Sequence, residues 1–425
     1  MIHYRPLSAL VLLLLAFLPA GCRPTVYLMP TPAVMATGEV NPFARNPDLD
    51  ESGRVEVLFA TNRSPMGGDA HRSYTIFPGD DLRLGIAHLS IGREEIDWGR
   101  IFALSTSDIP EERPAWHLDR IEEMAVIPLE NGAEGPGEGL EPFFQVVNEV
   151  LERSIDKDIM VYVHGANSSI YRAAAQAAQY RHFTGRNSLV LAFLWPSAEN
   201  LLAYGTDVQH ARRSAPAFKR LITLLAAKSR AEHINILAYS AGAQIASPGL
   251  AAIGRDAARD RGASLRLGEV YFAAADVGTD AFLSHLQDYL DIPRSVTLAV
   301  NLNDTILAMA ERHHGVSRIG RPSPADVDDA NAAFAREASN SGRFDIIGVD
   351  RDTVAGLSSG AHNFWYAHPW ISSDVLVQFL FHEGPEVRGL SENRDSKGLR
   401  YWTFPPDYPE RIIGIIQQAE AEGNG

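Results

Sequence analysis

The sequence predicts an α/β fold, a mostly parallel central sheet with helices on both faces. Three observations point to it. Between residues 158 and 382, short apolar stretches alternate with amphipathic or Ala-rich ones, strand then helix, which is the signature of parallel crossover units. The short stretches are rich in Val, Ile and Leu, as suits strands buried on both faces. The residues able to do chemistry, His164-Gly165, Ser240, Asp276, Asp304 and His362, each follow such a stretch. They therefore fall at the carboxyl ends of strands, where sheets of this kind hold their ligands.

The chain has 425 residues and is 45% hydrophobic, enough to fill one large domain or two. Its formal charge of −15 argues against nucleic acid as a partner and against recruitment by anionic lipid. Met1 to Cys22 combines Arg5, an apolar run from Leu10 to Leu18, and Pro19-Ala20-Gly21-Cys22. The run is too short to span a bilayer and reads as a secretory signal over residues 1–21. Small residues directly before the single cysteine resemble the lipobox of bacterial lipoproteins, in which that cysteine becomes the first mature residue and is acylated. The resemblance implies a lipidated Cys22, membrane contact through its acyl chains, and, with Arg23 following, the periplasmic face of the outer membrane. Residues 22–53 carry five prolines (24, 30, 32, 42 and 47) and little periodicity, so they are expected to be a tether.

Arg54–Thr61 reads as a first strand and Leu82–Ile91 as a second, separated by a turn-rich gap. Trp116–Leu129 reads as a strand and Glu141–Ser154 as an amphipathic helix. Strands then follow at Asp158–Val163, Ser188–Leu194, Leu267–Ala274, Ser295–Val300 and Phe344–Val349. Helices are expected at Ile170–Thr184, Asp207–Ser229, Thr279–Leu290 and Ser373–His382. Arg321–Asn340 is a polar, acidic, Ala-rich insertion. These bounds give a domain over 54–383 and a polar C-terminal extension over 384–425.

The stretch around which the rest is organised is 233–242, His-Ile-Asn-Ile-Leu-Ala-Tyr-Ser-Ala-Gly. An apolar strand runs into a serine flanked by Ala238 and Gly242, and an Ala-rich helix follows. Strand, sharp turn, serine and helix form a nucleophile elbow, with small residues letting the helix pass close to the strand. A serine hydroxyl is a weak nucleophile and needs a base, which in turn needs an acid to set its tautomer. For the base, His362 in a polar loop after the last strand competes with His368, His313 and His314, and its place in the chain order favours it. For the acid, Asp304 follows the strand after next and Asp276 follows the next one. Asp304 is preferred, with Asp276 as the alternative, and either could instead be a helix N-cap. An oxyanion hole requires backbone N–H donors. Ala241, after the serine, and Ala166, in the His164-Gly165 loop, are the candidates. Asn167 could brace that loop.

Together these stretches resemble a bacterial branch of the α/β-hydrolases, esterase- or lipase-like. The matching segments are Phe59-Ala60-Thr61-Asn62-Arg63, His164-Gly165-Ala166-Asn167, Trp195-Pro196-Ser197-Ala198 and Tyr204-Gly205-Thr206-Asp207. Further matches are Ala238-Tyr239-Ser240-Ala241-Gly242, Asn303-Asp304-Thr305-Ile306-Leu307, Arg318-Ile319-Gly320 and Gly360-Ala361-His362. The resemblance implies the α/β-hydrolase fold and a Ser240, Asp304, His362 triad cleaving a carboxylic ester, of a small molecule or a lipid, through an acyl-enzyme. The chain departs from the pattern at Ala166, Tyr239 and Ala241, which changes the wall of the site. No cofactor loop or metal-ligand spacing is present in the sequence. The competing expectation is an envelope lipoprotein that uses the same fold as a binding module. Oligomeric state is not encoded in any recognisable motif.

Overall fold

The short apolar stretches form strands whose side chains feed two separate cores. At residues 159–163, Val161 and Val163 enter one core while Met160 and Tyr162 enter the other. Alternation of side-chain direction makes this the only outcome for a strand covered on both sides. The computed structural model describes residues 25–68, 72–92, 96–129, 139–259 and 265–423. In chain order it contains β1 (Arg54–Met66), β2 (Ser73–Ile91), α1 (Trp98–Thr106), β3 (Trp116–Pro128), α2 (Leu140–Arg153) and β4 (Ile159–Val163). There follow α3 (Ile170–Phe183), β5 (Leu189–Phe193), α4 (Tyr204–Lys228), β6 (Ile234–Tyr239), α5 (Ala243–Arg259), β7 (Leu267–Ala273), α6 (Thr279–Tyr289) and β8 (Ser295–Val300). The chain ends with α7 (Thr305–His314), α8 (Asp329–Ser341), β9 (Phe344–Gly348), α9 (Phe364–Ala367), α10 (Pro369–Phe381), β10 (Ser391–Arg394), β11 (Arg400–Thr403) and α11 (Tyr408–Gly423).

The strands make one sheet in the order β10-β11-β9-β8-β7-β6-β4-β5-β1-β2-β3. From β11 to β1 every neighbouring pair is parallel, and the antiparallel pairs lie at the two ends. One face is covered by α2, α4, α5 and α6, through Phe143, Leu221, Leu250 and Phe282 among others. The other is covered by α1, α3, α10 and α11, through Ile101, Ala174, Val375 and Ile412. Among the described residues, no helix is long and apolar enough to cross a membrane. Cys22 and the signal segment lie outside the described residues.

Three expectations change. The stretch from residue 25 to 53 is docked on the domain. Leu28, Met29, Val34, Met35 and Val40 are buried in the second core, Phe43 is buried against Trp98 and His182, and the amides of Met29 and Val34 donate to Gln179 and Ser373. The segment crosses the surface of α3 and α10 through a 3-10 turn at Ala33–Met35 and further turns, and such an aperiodic path leaves no repeat to read. The polar extension after residue 383 is likewise part of the domain. β11 pairs with β9, and Trp402, Phe404, Tyr408 and Ile412 are buried beneath it. Last, β2 starts at Ser73 and forms a long antiparallel hairpin with β1, with register shifts at Thr61/Arg63 and Arg63/Pro65. These irregularities, and Gly67 and Gly79 nearby, hid the strand as a turn-rich gap.

Candidate active site

Ser240 closes β6 with φ 52°, a left-handed conformation unusual for a residue with a side chain. Such strain persists only where the surroundings enforce it. Here β4 does so on one side. A Cβ at Gly242 would lie 2.3 Å from the Val163 carbonyl oxygen, so only glycine lets α5 leave the elbow this close to the strand. On the other side the Asp276 amide donates to the Ser240 carbonyl at 3.0 Å. Ser240 itself is buried, with 7% exposure.

Three of the candidate residues converge. His362 Nε2 lies 2.8 Å from Ser240 Oγ, and His362 Nδ1 lies 2.7 Å from Asp304 Oδ2. With Nδ1 protonated toward the carboxylate, Nε2 accepts from the serine hydroxyl. Asp304 is fully buried and does two things at once. Its Oδ1 accepts the amides of Ile306 and Leu307, each at 2.9 Å, capping α7, while Oδ2 is left for His362. The N-cap and triad roles are thus compatible, because the two oxygens are used separately. The His362 loop is fastened to the same helix, since Thr305 donates to the Gly360 carbonyl and Asn301 to that of Ala361. The Tyr239 ring, 5.3 Å from the imidazole, walls the site.

The alternative acid is engaged elsewhere. Asp276 Oδ1 accepts Arg318 Nε at 2.6 Å, its carbonyl accepts Arg318 Nη2 at 2.9 Å, and Oδ2 accepts the Tyr204 hydroxyl at 2.5 Å. It does not cap α6, whose N-cap is Gly278. Among the competing histidines, His368 caps α10 and contacts the Ala355 carbonyl. His313 and His314 pack on Tyr204.

The loop carrying Ala166 lies over Ser240, for a Cβ on Gly165 would sit 3.0 Å from Ser240 Cβ. That loop is strained at Asn167, φ 53°, and is held by a buried network. Asp207 Oδ2 accepts the Asn167 amide at 2.8 Å and the Ser197 hydroxyl at 2.9 Å, and its Oδ1 accepts the Ala198 amide. Ser197 Oγ in turn accepts the Ser168 amide. Arg63 is fully buried; its Nε donates to the Trp195 carbonyl and Nη2 to that of Ser168, both at 3.0 Å. Burial lowers its pKa to about 10 against the opposing pull of Glu199 and Asp207. His164 stacks on Trp195 at 4.9 Å and is kept neutral, its pKa lowered to about 3 by burial and then by Arg63. Sequence reasoning marked these segments without giving Arg63, Trp195 or Asp207 a task. Arg63 stands in a polar run, Thr61-Asn62-Arg63-Ser64, beyond the expected end of the first strand, and its burial appears only in the fold. Asn167 contributes its amide and backbone shape, and Ser169 is the cap of α3.

Asp158, His233 and His382 meet at the amino ends of the strands, opposite the site, and could hold a cation. Asp158 already accepts the His233 amide and ring and the Asn235 amide group, and pairs with His382.

Residues 142–359 match the family model described as alpha/beta hydrolase of unknown function (DUF900), which is half of the chain. The chain belongs to this family. Its sheet is accordingly an α/β-hydrolase sheet. Among solved structures the hydrolase is similar to an acetylxylan esterase, with 12% identity, a TM-score of 0.28, and coverage of 52% of this chain and 94% of that one. It is also similar to esterase B from Lactobacillus rhamnosis bearing a C4-C4 SN3 tributyrin phosphonate, with 13% identity, a TM-score of 0.27, and coverage of 64% and 81%. No curated protein matches the chain.

Proposed function

We propose that this hydrolase is a serine esterase that cleaves a carboxylic ester through an acyl-enzyme. The observation that carries the reading is His362 bridging Ser240 Oγ and Asp304 Oδ2 at hydrogen-bond distance on both ring nitrogens. His362 takes the proton as Ser240 attacks the ester carbonyl. Asp304 holds the tautomer and stabilises the imidazolium. The N–H groups of Ala241 and Ala166 hold the oxyanion, the second on a loop made rigid by Asp207 and Arg63. The alcohol leaves with the proton from His362. Water then attacks the acyl group, again through His362, and frees the acid.

The reading includes anchoring by an acylated Cys22 on the periplasmic face of the outer membrane. Because the chain is docked from Val26, whose amide donates to the Tyr171 hydroxyl at 3.0 Å, only residues 23–25 would link lipid to domain. The four residue steps from Cys22 to Val26 span at most about 14 Å, so the domain would sit against the bilayer.

A fluorophosphonate probe tests the chemistry. It should label the wild type once, on the peptide containing Ser240, and leave Ser240→Ala unlabelled. Ser240→Ala and His362→Ala should each abolish ester turnover, and the double variant should be little worse, since the residues act as a unit. An adduct elsewhere, or full turnover by Ser240→Ala, would overturn the Ser240 mechanism, and a wild type with neither label nor turnover would leave the binding-module reading in its place.

A further inference from the structure

A groove of about 470 Å³ opens beside the elbow, between α4, α5, the start of α6 and the turn after α7. Gln244, four residues after Ser240, lines it, and the groove connects to the elbow through Asp276, which holds Arg318 and whose amide donates to the Ser240 carbonyl. Its polar wall is made of donors. Arg318 is 4% exposed, with Nε and Nη2 given to Asp276. Its Nη1 has no acceptor among the described residues and lies at the groove, 3.9 Å from where a Cβ on Gly278 would be. Arg212 stands exposed at the mouth and forms no ion pair among the described residues. His285 and His314 complete the wall; burial, helped by Arg255 and Arg318 respectively, lowers both pKa values, so they are neutral at pH 7. The carboxylate closest to this wall, Asp276, is already matched by Arg318 and the Tyr204 hydroxyl.

The balance is one unmatched guanidinium at the mouth and one guanidinium nitrogen, Arg318 Nη1, without an acceptor among the described residues in the wall, in a chain whose net charge is −15. A solvated surface arginine alone would mean nothing. A buried arginine edge turned to the same groove means that an acceptor entering it meets charge-assisted donors on two sides. A cationic or purely apolar group would meet Arg212 or strand these donors.

From this we infer that the groove binds an oxyanion, carboxylate or phosphate, carried by the substrate, and that the enzyme therefore selects anionic esters. The inference rests on the serine-esterase reading for the word substrate, and on the groove alone for the anion.

The test compares p-nitrophenyl hemiglutarate, with the carboxylate on the acyl side, and 4-carboxyphenyl butyrate, with it on the alcohol side. Each is set against an uncharged ester of similar leaving group, in wild type and Arg212→Gln. Glutarate and inorganic phosphate are titrated into both proteins by calorimetry. The wild type should prefer one of the anionic esters, and Arg212→Gln should lower that preference ratio about tenfold, the scale of one charged hydrogen bond. Affinity for glutarate or phosphate should fall in step. A preference ratio and an anion affinity both unmoved by Arg212→Gln overturn the inference. If no ester is turned over and Ser240 is not labelled, the esterase reading fails, while calorimetry still decides whether the groove takes an anion.

Discussion

Replacing Asp304 by Asn separates its two tasks. Asparagine caps a helix about as well as aspartate, so its oxygen can keep the amides of Ile306 and Leu307 and the fold should hold. The side-chain nitrogen then takes the place of Oδ2, 2.7 Å from His362 Nδ1. Two donors cannot face each other there. The imidazole must move its proton to Nε2, which then cannot accept from Ser240. In serine proteases this wrong-tautomer effect costs about 10⁴ in kcat, or roughly 5 kcal/mol of barrier at 1.36 kcal/mol per decade. Stability should change by less than about 1 kcal/mol, because the cap survives. Asp276→Asn should do the reverse. It removes the counter-charge of Arg318, itself buried, and breaking such a pair costs about 3–5 kcal/mol. Turnover per folded molecule should fall far less than in Asp304→Asn. The assay pairs kcat on p-nitrophenyl butyrate with urea denaturation of the three proteins. If Asp304→Asn retains a tenth of wild-type turnover, or if Asp276→Asn is the slower enzyme, the carboxylate assignment is refuted.

Gly242→Ala should lose roughly 1–3 kcal/mol of stability and most activity, because its Cβ meets two backbone carbonyls, at 2.3 and 2.7 Å, that cannot turn aside; an unchanged denaturation midpoint would contradict the close approach. His382 bridges Asp158 and Glu269 at the far end of the sheet. Burial opposes its charge, but the two carboxylates win and raise its pKa from 6.5 to about 9. A raised folded-state pKa stabilises fully below the unfolded value, and that stability is lost as pH rises from about 6.5 through about 9. Wild-type stability should thus fall across this window relative to His382→Gln, and parallel pH profiles of the two would count against the charged bridge. Cys22→Ser should release the protein from the membrane fraction or leave its signal uncleaved; fractionation and mobility identical to wild type would end the anchor proposal.

The alternation of strands and helices from β4 to α10 was legible in the sequence because it is written locally. Apolar β-branched runs, amphipathic periods and a serine between small residues each need only a few neighbouring positions to be read. The order of Ser240, the two aspartates and His362 was legible for the same reason. Which aspartate meets His362 was legible only as a preference for Asp304, since both follow strands and both could cap a helix. That choice lies in contacts across 58 and 122 positions of chain, and in Arg318 claiming Asp276 from 42 positions away. The brace of Asp207 and Arg63 beneath the Ala166 loop, the donor-lined groove, and the docking of residues 25–53 are of the same kind. An aperiodic segment such as Leu28–Phe43 carries no local signal of where it rests. Its apolar side chains rest on a surface that α3, α10 and α11 assemble from distant parts of the chain.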